Sequence, residues 1–187
     1  MKSFWILSVL LLVLNITYAT EWELDEGSKE IGGSFSIESR TGDLHDNRNG
    51  DGYISIIFAP TFQIFLIQRF SAGGKLAFRG WGRGSNTNSE IVAGPALTYY
   101  FGSNRDSYWL FVGSNFLIEA AKDVDSKITS LQLLGGVMFR IVDNFVLKAN
   151  LNYTIDRRRT KGWSDSDAIS GNTLGIRFGF SGFTHKK

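Results

Sequence analysis

The sequence lacks cysteine and has only two prolines among its 187 residues. Without cysteine there are no disulfides, so an exported domain of this size needs another source of stability. Beyond the first twenty residues, no stretch offers the roughly 18 consecutive apolar residues of a transmembrane helix. The formal net charge of +2 is close to neutral and gives no strong bias towards a polyanion, so we predict no nucleic-acid partner. These absences exclude a disulfide-stabilised module and a helical membrane protein.

The N-terminus has the pattern of a secretory signal peptide. Lys2 provides a charged start, an apolar run extends from Phe4 to Leu14, and Thr17 to Ala19 occupies the cleavage position. The apolar run is too short to span a bilayer as an anchor. We therefore predict a cleaved signal peptide over residues 1–19 and an acidic, solvated N-terminal tail over residues 20–30.

Apolar and polar residues alternate along the rest of the chain, most clearly between Phe145 and Asp156. Leu147 and Leu151 fall on one face of this segment, whereas Lys148 and Asn152 fall on the other. Alternation over this length predicts a membrane-crossing β-strand. Similar segments recur, so that the chain contains about eight predicted strands.

We predict an all-β fold, a closed antiparallel up-and-down transmembrane β-barrel over residues 31–183, followed by a basic C-terminal tail over residues 184–187. Only helices and closed barrels satisfy the backbone polar groups inside a bilayer. Short turns alternate with longer polar loops, as in outer-membrane barrels. The predicted loops are Arg40–Gly52, Trp81–Ser89, Ala120–Ser126 and Arg157–Ser170.

Eight strands leave room inside a barrel only for side chains, so we predict a filled interior rather than a wide pore. The less apolar faces of the predicted strands carry six charged residues, which we assign to an interior cluster: Glu38, Lys75, Arg79, Lys148, Asp156 and Arg177.

Aromatic residues and a proline add two local predictions. Aromatic side chains gather near strand ends, which predicts interfacial girdles, with Tyr100 and Trp109 in the girdle at the short-turn end. Pro60 cannot donate to a β-ladder, so we predict a bulge or irregularity in its strand.

A run of basic residues follows the strand that ends at Asp156. Arg157, Arg158, Arg159 and Lys161 would lie at the outer rim, where arginine could bind lipopolysaccharide phosphates through bidentate hydrogen bonds. The same residues could instead be the solvated base of a loop, and the sequence favours neither interpretation.

Two other patterns are weaker. Asn47–Ser55 resembles the first half of a calcium loop, but the final bidentate carboxylate is replaced by Phe58, and a polar turn explains the segment better. His45 could in principle serve a barrel enzyme, yet no paired nucleophile motif accompanies it. We therefore predict no catalytic residue, no cofactor and no metal site.

Three segments resemble the small outer-membrane β-barrel family, also called porin-family or OmpA/OmpX-like barrels. They are IVAGPALTYYFG at Ile91–Gly102, GGVMFRIVDNFVLKANLNY at Gly135–Tyr153 and LGIRFGF at Leu174–Phe180. One departure is that SGFTHKK follows Phe180, where the family usually ends on its closing aromatic.

The resemblance implies a bacterial outer-membrane protein with a structural or cell-surface interaction role and no enzymatic activity. It also implies a monomer in contact with outer-membrane lipid, lipopolysaccharide and the outer-membrane assembly machinery. Two alternatives stay open at this point. One is a barrel enzyme that acts on lipid or peptide through His45, and the other is a soluble, exported calycin-like barrel with an apolar interior.

Overall fold

A computed structural model describes residues 24–44, 53–83, 86–102, 107–119, 126–160 and 168–184. Eight strands make up almost all of this part of the chain. They are β1 (Lys29–Thr41), β2 (Tyr53–Ile67), β3 (Phe70–Arg83), β4 (Asn86–Phe101), β5 (Tyr108–Glu119), β6 (Ser126–Val142), β7 (Phe145–Thr160) and β8 (Ile169–Thr184).

The eight strands form one closed barrel in sequence order, with every neighbouring pair antiparallel. The seam joins β1 to β8 in an unbroken register from Lys29 opposite Thr184 to Thr41 opposite Asn172. Closure leaves no exposed strand edge, because each strand pairs on both sides. Within the described segments, no helix is long and apolar enough to cross a membrane.

Side chains alternate between an apolar exterior and a largely polar interior. Leu151 on β7 is 60% exposed, whereas its neighbour Asn152 is buried. This polarity is the reverse of a calycin-like barrel, so that alternative is wrong. The predicted all-β closed barrel is confirmed. Large apolar side chains exposed on the outer wall include Ile31, Phe35, Ile56, Phe78, Leu97, Leu110, Leu133, Leu147, Leu174 and Ile176.

One predicted loop is mostly strand. The segment Trp81–Ser89 belongs to β3 and β4, whose pairing continues to Arg83 opposite Asn86, so that only residues 84–85 connect the two strands. The prediction failed because it equated polar composition with a loop, whereas backbone pairing does not depend on apolar side chains. At the same end of the barrel, the other connections span residues 42–52, 120–125 and 161–168.

Both prolines interrupt pairing on one side of their strand without shifting its register. The pairing of β2 with β3 skips from Phe58 to Thr61, and the pairing of β4 with β5 skips from Ala93 to Ala96. The bulge predicted at Pro60 is therefore absent, and the irregularity is a gap that reflects the missing proline N–H.

Apolar side chains fill the short-turn end of the interior. This base cluster consists of Leu24, Phe65, Tyr100, Trp109, Phe111, Met138, Val146 and Phe183. A smaller apolar group, Ile57, Ala59, Ala77, Val92 and Leu117, lines the wall formed by β2 to β5.

The base cluster corrects two predictions. Tyr100 and Trp109 point inwards and not into an outer girdle, because they alternate with the exposed Tyr99 and Tyr108. The predicted tail over residues 20–30 is partly buried, since Leu24 is 1% exposed and Ser28 and Glu30 are buried, whereas Glu26 is exposed. The Arg69 N–H donates to the Leu24 carbonyl at 2.9 Å, which holds this segment beneath the barrel.

Candidate functional site

The polar contacts nearest to the base cluster, at the short-turn end of the interior, surround Glu30. Its carboxylate accepts hydrogen bonds from Lys148 Nζ, from the Tyr100 hydroxyl and, at 2.7 Å, from Ser181 Oγ. The ammonium of Lys148 also lies 5.0 Å from the ring centroid of Tyr100 and 5.4 Å from that of Phe111. A buried carboxylate with three donors and a buried ammonium over aromatic faces are both well compensated.

A second network occupies the middle of the interior. Glu38 Oε1 is 3.2 Å from Arg177 Nη2 and 3.0 Å from Asn152 Nδ2. Gln132 Oε1 accepts from Lys75 Nζ at 2.7 Å, from Asn115 Nδ2 at 2.8 Å and from Arg177 Nη1 at 3.1 Å. The interior is therefore packed with hydrogen-bonded charges at this level.

A third group of charges lies towards the long-loop end. Glu90 is paired with Arg79 and, at 3.4 Å, with Arg40. Asp156 accepts hydrogen bonds from Ser130 and, at 3.2 Å, from Thr173. The Arg40–Glu90 pair joins β1 to β4, whereas the other three contacts join consecutive strands.

The structure places all six sequence-predicted interior charges inside the barrel. It brings Glu38 and Arg177 together, but gives the other predicted residues partners that the prediction missed. Glu30 had been assigned to the tail, although it continues the inward phase of β1 that Glu38 also follows. The missed interior partners are Glu30, Arg40, Glu90, Tyr100, Gln132, Ser130 and Thr173.

The basic run divides between the two faces of β7. Arg157 and Arg159 are exposed on the outer wall, above Tyr153 and Ile155, whereas Arg158 is half-buried. Lys127 on β6 lies opposite Arg159 and is also exposed, so it joins the two arginines in an outer basic face that sequence reasoning missed. Lys161 lies outside the described residues.

The remaining candidates contribute no described site. His45 and the core of the Asn47–Ser55 segment lie outside the described residues, and residues 53–55 of that segment begin β2. No cluster of three or more metal-ligating side chains occurs within the described parts of the chain.

Solved structures share this architecture. The crystal structure of Neisserial surface protein A superposes with a TM-score of 0.64 at 12% identity, over 84% of this chain and 99% of that chain. The chain has the fold of a small outer-membrane β-barrel. A de novo designed transmembrane β-barrel also matches this small barrel, with a TM-score of 0.52 at 9% identity, over 87% of this chain and 99% of that chain. No protein-family model and no curated protein matches its sequence.

Proposed function

We propose that the chain is a monomeric, integral protein of the bacterial outer membrane, inserted by the outer-membrane assembly machinery, with a structural or surface-interaction role and no enzymatic activity. The observation that carries the proposal is the polarity of the barrel, apolar outside and filled with paired charges inside. An apolar wall of this kind is stable only against acyl chains. The similar Neisserial protein is, by its name, a surface protein.

We further propose that the outer basic face, formed by Lys127, Arg157 and Arg159, binds lipopolysaccharide phosphates. In the proposed orientation the short turns face the periplasm. The three side chains would then follow directly on the apolar part of β6 and β7, at the level of the lipid headgroups. Guanidinium groups match phosphate geometry in a bidentate manner. Arg158 points inwards and is not part of this face.

Cell fractionation tests the location. The mature chain should be recovered in the outer-membrane fraction and should migrate differently in mild detergent before and after heating, because a closed barrel resists unfolding. Recovery in the soluble periplasmic fraction would contradict the proposal.

A set of glutamine variants tests the basic face. Replacing Lys127, Arg157 and Arg159 together should leave the barrel folded and weaken its binding to lipopolysaccharide several-fold at low salt, with a smaller effect at high salt. The matched control is Arg158→Gln, which removes a neighbouring charge from the inner side and should leave binding unchanged. Equal binding by the triple variant and the wild type at low ionic strength would refute the assignment.

A further inference from the structure

A space remains at the centre of the barrel. This lumen cavity has a volume of about 60 Å³ and is lined by residues of all eight strands. Phe111 of the base cluster, the Glu30–Lys148 pair, and Lys75 and Arg177 border it. A polar space of this volume can hold a few particles of the size of water.

The charges around the lumen cavity do not balance. Lys148 is paired with Glu30, and Arg177 is paired with Glu38. Lys75 is 5% exposed, and among the described residues it makes no ion pair, since its amine donates only to Gln132. An ammonium that is buried without a counter-charge is unfavourable. The surroundings of the cavity therefore have an excess of one positive charge.

Several N–H donors also converge at this place. Gln132 Oε1 has two lone pairs, yet three donors, from Lys75, Asn115 and Arg177, lie within 3.1 Å of it. Arg177 Nε is buried and has no partner. Three buried acceptors also have no partner within the described part of the chain: Asn150 Oδ1, which lines the cavity, and Glu38 Oε2 and Asn152 Oδ1 of the network around Arg177. Water molecules beside an anion would supply their donors.

We infer that the lumen cavity binds one small monovalent inorganic anion, of the halide class, beside Lys75. The anion compensates the unpaired ammonium and accepts hydrogen bonds from Lys75 and Arg177. The base cluster closes the interior on one side. Binding of this kind makes the folded state depend on halide concentration independently of ionic strength.

Reversible urea unfolding of the mature chain in lipid vesicles tests the inference. Sodium chloride is compared with sodium gluconate at one ionic strength, because gluconate is too large for the cavity. In chloride the folding equilibrium constant should rise by the factor 1 + [Cl⁻]/Kd, which approaches tenfold for each tenfold increase in concentration above Kd. The Lys75→Gln and Lys75→Met variants should lose this dependence, whereas Lys127→Gln, on the outer wall, should keep it.

Crystals of the wild-type protein grown in bromide provide a test that does not require a variant to fold. An anomalous difference peak within hydrogen-bond distance of Lys75 Nζ is expected. A cavity that contains only water, with no bromide signal, would overturn the inference. So would equal stability of the wild type in chloride and gluconate, or a chloride dependence that persists without Lys75.

Discussion

Neutralising Glu30 is the most direct perturbation of the interior. Glu30→Gln keeps the shape of the side chain but leaves the Lys148 ammonium buried without its counter-charge. Breaking one partner of a buried pair typically costs about 3–5 kcal/mol. Lys148 retains the Tyr100 hydroxyl at 2.9 Å and the aromatic faces around it, so we expect the lower end, about 3 kcal/mol.

Equilibrium urea unfolding in detergent, followed by tryptophan fluorescence, measures this cost, because Trp109 lies in the base cluster. The double variant Glu30→Gln/Lys148→Met removes both charges and should recover roughly 2 kcal/mol of the loss, since well-packed apolar replacements of buried pairs are often neutral. Lys127→Gln is the surface control and should change stability by less than about 0.5 kcal/mol. The reasoning would be refuted if the stability of Glu30→Gln were within about 1 kcal/mol of the wild type. It would also be refuted if the double variant lost as much stability as Glu30→Gln and Lys148→Met lose separately when their losses are added.

Three further substitutions, one of them with a matched control, test the wall and the base by equilibrium urea unfolding. Leu151→Arg places a charge on the lipid-facing wall and should cost about 2–4 kcal/mol in vesicles; no loss would mean that Leu151 does not face lipid. Gly136→Ala should cost about 1–3 kcal/mol because its Cβ would lie 2.2 Å from the Ala149 carbonyl oxygen, whereas Gly135→Ala, with no atom nearer than 4.0 Å, should be close to neutral. Leu24→Ala should cost about 2–5 kcal/mol, while a solvated Leu24 would give almost none.

The alternation of residue types was enough to predict the closed barrel and the side of the wall on which most residues lie. Leu147 and Lys148 illustrate this, because a strand separates neighbouring side chains to opposite faces. Counting back from Glu38 in steps of two residues shows that the side chain of Glu30 also points inwards. The same alternation places Tyr100 inside the barrel, because its neighbour Tyr99 faces outwards. Those two errors came from a predicted first strand that begins too late, at Ile31 instead of Lys29, and from treating all aromatic residues as interfacial.

The partners of the interior charges could not be predicted in this way. Glu30 and Lys148 are 118 residues apart, and they meet because of the stagger between the strands around the barrel. Alternation in a single strand gives the direction of a side chain but not its height relative to a distant strand. The outer basic face could not be predicted for the same reason, because Lys127 lies beside Arg159 only through the register between β6 and β7.

The seam between β1 and β8 also governs the order of assembly. Every other pairing joins strands that follow each other in the chain, whereas Lys29 meets Thr184 across almost the whole described sequence. Contacts of such long separation form late, although the entropy of loop closure grows only slowly with length. Before the seam forms, both end strands carry unpaired backbone groups that acyl chains cannot satisfy. At the proposed location in the membrane we therefore expect insertion and closure to be coupled, and a chain truncated before β8 to remain outside the bilayer.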